Sequence, residues 1–102
     1  IIYGVNMKKM KKIEIILESV YLNRLIELFD RKEITGYTII RDVEGKGITG
    51  IKSADEITDV FSNNYVFTVC DEAKLMNIVE DIRRFIKKYG GRCIVSDVSW
   101  VL

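Results

Sequence analysis

From Lys12 to Glu18 apolar and polar side chains alternate, with Ile13, Ile15 and Leu17 on one face and Glu14 and Glu18 on the other. That period of two predicts a strand buried on one side. The period then changes. Leu22, Leu25, Ile26 and Phe29 recur at the three-and-four spacing of an amphipathic helix, and Ser19 stands where an N-cap would. Gly36 follows the helix, and Tyr37 to Val43, rich in β-branched and aromatic residues, predicts a second strand.

The second half repeats the order. Tyr65 to Cys70 predicts a strand, Asp71 a helix N-cap, and Leu75, Ile78, Val79, Ile82, Phe85, Ile86 and Tyr89 a helical stripe. Gly90 and Gly91 end that helix, because glycine takes the left-handed conformation of a helix C-terminus at little cost. Cys93 to Val98 supplies the last strand. The expected fold is therefore α+β, a ferredoxin-like double split βαβ in the order β-α-β-β-α-β around an antiparallel sheet.

This topology brings two segments to one edge of the sheet. They are the long connection from Glu44 to Asn63 and the Gly90-Gly91-Arg92 turn that opens the last strand. They sit on the outer strands, about three strand spacings or ~14 Å apart, and would meet best across a subunit boundary. Cys70 and Cys93 fall roughly ~20 Å apart and are expected to stay free thiols.

With 102 residues and 48% hydrophobic content, the chain reads as one domain over residues 1–102, too small for a deep private cavity. Met7 is a candidate start, and residues 1–10 read as an extra N-terminal segment. Sixteen basic against fifteen acidic residues give no global field, which disfavours nucleic acid as a partner. The absence of histidine excludes histidine triads and imidazole zinc sites, so neither catalytic residues nor a metal site are assigned. Two cysteines without a Cys-x-x-Cys pair fit a reducing cytoplasm. No apolar run approaches the ~18 residues of a membrane span.

The Glu44 to Asn63 connection is long for a hairpin, as binding loops often are. Gly45, Gly47 and Gly50 have Gly-x-Gly-x-x-Gly spacing, but they follow a second strand without a periodic helix behind, so the dinucleotide-fold reading is rejected. Two readings stay open. The glycines can turn successive N–H groups into an anion nest, with Lys46 and Lys52 adding charge, or they can belong to a flexible solvated loop. Lys8, Lys9, Lys11 and Lys12 read as solvation and edge protection, and Tyr65, Phe67 and Trp100 as core or subunit interface.

Lys12-Ile-Glu-Ile-Ile, Thr35-Gly-Tyr-Thr38, Val43-Glu-Gly-Lys-Gly47 and Asn63-Asn-Tyr-Val-Phe occur in this order. By these motifs the chain resembles the PII signal-transduction superfamily from Lys12 to Val98, and most of all its PII-like branch associated with bicarbonate transport and carboxysomes. The resemblance implies a non-enzymatic cytoplasmic homotrimer that binds an adenine nucleotide between subunits and engages a target through residues 44–63, the T-loop. It implies Thr38 beside adenine, Gly45, Lys46 and Gly47 at the base of the T-loop, and Gly90, Gly91 and Arg92 near phosphate. Ile48, Thr49, Gly50, Ile51, Lys52 and Ser53 are the implied partner-binding residues.

The T-loop has no tyrosine, so uridylylation is not expected, and Ile48-Thr49 replaces an Arg-Gln pair used in 2-oxoglutarate sensing. The basic C-terminal segment of longer members is absent after Leu102, which favours AMP, ADP or a cyclic nucleotide over ATP, with bicarbonate as a further ligand. The implied target is a membrane transporter or its soluble partner. The alternative is a divalent-metal-responsive trimer resembling the CutA family.

Overall fold

The computed structural model describes residues 6–45 and 62–102. Their elements follow the expected order: β1 (Met7–Glu18), a short 3₁₀ turn (Ser19–Tyr21), α1 (Leu22–Arg31), β2 (Thr38–Val43), β3 (Asn63–Cys70), α2 (Glu72–Tyr89) and β4 (Arg92–Val101). The strands form one sheet in the order β2-β3-β1-β4. Each neighbouring pair is antiparallel.

The alternation in β1 decides which face is buried. Ile13, Ile15 and Leu17 are 0–1% exposed and join Val66, Leu25, Phe29, Ile78, Ile82 and Phe85 in the core, whereas Ile16 between them is 40% exposed. Each large side chain removed from water contributes roughly 1.5–3 kcal/mol, so this single layer supplies most of the driving force. On the other face of the sheet, Ile40, Ile94 and Trp100 are about half exposed.

β1 starts earlier than its apolar period suggested. Met7 to Met10 pair with Val98 to Val101, so the stretch 1–10 contributes four residues to the sheet, and Lys8, Lys9, Lys11 and Lys12 are all strand residues, paired with β4. Lys11 is hydrogen-bonded across the pair to Asp97. β4 is likewise longer at both ends than Cys93 to Val98.

Two helix ends differ from expectation. Ser19 caps nothing: α1 has Tyr21 at its N-cap without a side-chain bond, because the Ser19 hydroxyl is engaged by Ser62 and Asn64 instead. At the other end Ile34 N–H bonds Phe29 C=O at 2.8 Å and Glu33 N–H bonds Asp30 C=O at 3.0 Å, the two bonds of a Schellman motif. Its left-handed position is Glu33, at φ 60°, and not a glycine. The second helix behaves as its sequence suggests, since the Asp71 carboxylate accepts the Lys74 N–H at 2.8 Å.

Candidate functional site

The register places the expected site residues at two corners. β1 ends beside the start of β3, with Glu18 opposite Asn63 and Asn63 opposite Val43, so the chain leaves β2 towards Gly45 at this same end of the sheet. Gly90 and Gly91 lie at that end too, because Arg92 pairs with Ile16 on the far side of β1. β3 and β1 stand between the two corners.

The glycine turn is sterically required. Gly90 has φ 87° and ψ −177°, a positive-φ extended conformation and not the left-handed helical one expected. Gly91 has φ 104°, and a Cβ there would lie 2.6 Å from the backbone oxygen of Ile16. The turn therefore presses against β1 as closely as backbone permits. It leaves Arg92 exposed at the start of an edge strand, where a guanidinium can take an anion.

Thr38 belongs elsewhere. It pairs with Phe67 at the start of β2 and lines a groove of about 580 Å³ with Gly36, Tyr37, Phe67, Lys74 and Trp100. The buried Thr68 hydroxyl donates to the Gly36 carbonyl, and the Tyr37 ring lies 5.7 Å from that of Phe29. Lys74 Nζ donates to the Lys32 carbonyl at 3.0 Å, which ties α2 to the end of α1 beside the groove. Of these neighbours, Phe67 and Trp100 stand out in the sequence as aromatics, whereas Thr68 and Lys74 carry no sequence signal. Thr68 and Lys74 acquire their roles only through partners 32 and 42 residues away.

One chain thus keeps Thr38 apart from Arg92, with two strands between them. Lys46, Gly47, Ile48, Thr49, Gly50, Ile51, Lys52 and Ser53 lie outside the described residues. Among the described residues no group of three His, Cys, Asp or Glu is arranged to hold a metal, and no helix is long and apolar enough to cross a membrane.

The open face between the corners carries a polar pair. Tyr65 donates its hydroxyl to Glu14 Oε1 at 2.7 Å, and this bond holds the phenol above its ordinary pKa. Lys12 Nζ stands 4.7 Å from the centroid of the Phe67 ring. Cys70 and Cys93 are free, and burial raises both thiols above the usual range.

The family described as Nitrogen regulatory protein P-II matches residues 10–102, and the chain belongs to it. It is accordingly a regulatory protein and not an enzyme. Among solved structures, it is similar to CPII from Thiomonas intermedia K12 bound to ADP and bicarbonate: 26% identity, 94% of this chain and 92% of that chain covered, TM-score 0.78. CPII bound to ADP, AMP and bicarbonate aligns at 25% identity, covering 92% of this chain and 97% of that one, TM-score 0.75. The fold is shared with B. subtilis GlnK in its ATP complex, at 19% identity, 88% and 82% coverage and TM-score 0.64. No curated protein matches the sequence.

Proposed function

We propose that the protein is a homotrimeric sensor that takes an adenine nucleotide, AMP, ADP or a cyclic nucleotide, in clefts between subunits, with bicarbonate as a second ligand. The observation that carries this reading is the separation of Thr38 and its groove from the Gly90-Gly91-Arg92 corner on opposite sides of one sheet. A second copy can bring one corner to the other copy's groove, so a small domain gains a pocket it cannot enclose alone. The half-exposed Ile40, Ile94 and Trp100 give the open face apolar area to bury in such an assembly.

In this reading Thr38 contacts the base, Gly90 and Gly91 present backbone N–H groups, and Arg92 and Lys46 meet phosphate. Gly45 and Gly47 let the backbone approach the ligand, and Ile48 to Ser53 contact the regulated target, a membrane transporter or its soluble partner in the cytoplasm. CPII, solved with ADP and bicarbonate, supports this choice of ligands. A ligand shifts the target-binding state only by its differential affinity for the two states, which contacts at the T-loop base would supply.

Calorimetric titration with AMP, ADP, cyclic AMP and ATP, with and without bicarbonate, tests the ligand, and light scattering tests the assembly. Binding of at least one adenine nucleotide by a trimer is expected. A stable monomer at micromolar concentration that takes up none of them would overturn the proposal.

A further inference from the structure

Asn64 is the one residue of β3 that faces two residues of β2. Ile40 pairs with Tyr65 and Val43 with Asn63, so Arg41 and Asp42 share a single partner position. This two-against-one count is a β-bulge, which bends the strand and orphans a ladder donor. Asp42 takes φ 58°, a left-handed conformation that aspartate tolerates better than most residues but that must still be held.

The side chain of Asn64 holds it. The Asp42 N–H donates to Asn64 Oδ1 at 3.2 Å. The Ser19 hydroxyl donates to the same oxygen at 3.1 Å, and Ser19 meets Ser62 twice, through its N–H at 2.9 Å and through the paired hydroxyls at 2.8 Å. One amide oxygen, in a residue only 1% exposed, therefore ties the end of β2 to the start of β3 and both to the junction of β1 and α1. Two donors on Oδ1 also fix the amide orientation, leaving Nδ2 as the group without a partner among the described residues.

We propose that Asn64 is a positioning residue for the nucleotide site. By holding the bulge at Arg41 and Asp42 it sets the direction in which the chain leaves β2, and with it the approach of Gly45 to the phosphate of an adenine nucleotide. The inference rests on the nucleotide-sensing function proposed above. A bulge released from Asn64 can straighten into ordinary pairing, which shifts the register of Glu44 and Gly45 and carries them away from the ligand.

The test compares Asn64→Leu, close in size but without hydrogen bonds, with Asn64→Asp, which keeps the acceptor oxygen, and with Ser19→Ala, which removes one donor. Hydrogen exchange reads the Asp42 amide, and calorimetry reads ADP affinity. Asn64→Leu is expected to lose Asp42 protection and to bind ADP about tenfold more weakly, the loss of one well-placed hydrogen bond. Asn64→Asp should keep the protection and stay within about threefold of wild type, and Ser19→Ala should fall between them.

Asn64→Leu with an unprotected Asp42 amide and wild-type ADP affinity overturns the inference, as does Asn64→Asp binding as weakly as Asn64→Leu with the amide protected. Should either Asn64 variant fail to fold, a Ser19→Ala protein unchanged in both readouts overturns it too. A wild-type protein that takes up no ADP overturns this inference through its ligand, whereas unaffected variants of an ADP-binding wild type overturn the role of Asn64 alone.

Discussion

A side chain at Gly91 would meet the backbone oxygen of Ile16 at 2.6 Å, so the turn into β4 is locked against the central strand. Gly91→Ala must open that contact and also hold φ near 104°, where L residues rarely go. Strain of this kind costs about 1–3 kcal/mol, and the variant is expected to unfold at lower denaturant concentration with an unchanged slope. Gly90→Ala meets no atom within 4 Å and should suffer only from its φ of 87°. Equal midpoints for Gly91→Ala and wild type would mean that the turn can retreat from β1 freely.

Arg92→Ala should leave stability nearly unchanged, because the side chain is exposed, and should weaken an adenine nucleotide by roughly 1.5–3 kcal/mol, the range for a hydrogen bond to a charged group. Lys46→Ala is expected to act in the same direction. Titration of both variants with ADP checks the assignment, and wild-type affinity in both would place the phosphate elsewhere.

Glu33 offers a stabilising change. It occupies the left-handed position of the α1 Schellman motif at φ 60°, a conformation costing a non-glycine residue roughly 1–2 kcal/mol. Gly36, nearby in sequence, does not serve that position. Glu33→Gly should raise the denaturation midpoint by an amount equivalent to about 0.5–1 kcal/mol, less than the relieved strain because glycine loses more freedom on folding. A lowered midpoint would show that the Glu33 side chain matters to the groove it lines.

Burial raises the Cys70 and Cys93 thiols, Cys93 further through the nearby Glu14 charge. Both should therefore react slowly with iodoacetamide near neutral pH, since only the thiolate attacks. The sign for stability follows. The unfolded thiols release protons at lower pH than the folded ones, so this contribution is complete below about pH 9 and is lost as pH rises through the interval between the unfolded and folded values. Asp97 has the opposite dependence. Its hydrogen bond from Lys11 lowers the carboxyl, so its contribution is present above the unfolded value and is lost as pH falls through the folded one. Denaturation midpoints across pH 3–10 for wild type and a Cys70→Ala, Cys93→Ala double variant separate the two effects.

The residues that could be read from sequence are those whose reasons are local. The alternation of Ile13, Ile15 and Leu17, the stripe from Leu75 to Tyr89 and the Asp71 cap each depend on neighbours within a few positions, and each is found in the structure. Ser19 looked like a cap for the same local reason, yet its hydroxyl is taken by Ser62 and Asn64, more than forty positions away. Asn64 itself carries no periodic signal. Its meaning depends on a register that exists only once β2 and β3 have paired. Met7 to Met10 show no apolar alternation, because what joins them to Val98–Val101 is the backbone ladder and not a buried face.

The position of β1 has a consequence for how the protein is made. Ile16 pairs on one side with Tyr65 and on the other with Arg92, so the central strand cannot complete both ladders until β4 has left the ribosome. At roughly 5–20 residues per second its second edge stays open for several seconds, while Ile13 and Ile15 lack their β4 partners Val95 and Cys93. A nascent chain arrested before Arg92 should therefore be held by chaperones and cut readily by protease, whereas release of the last strand should bring resistance in a single step.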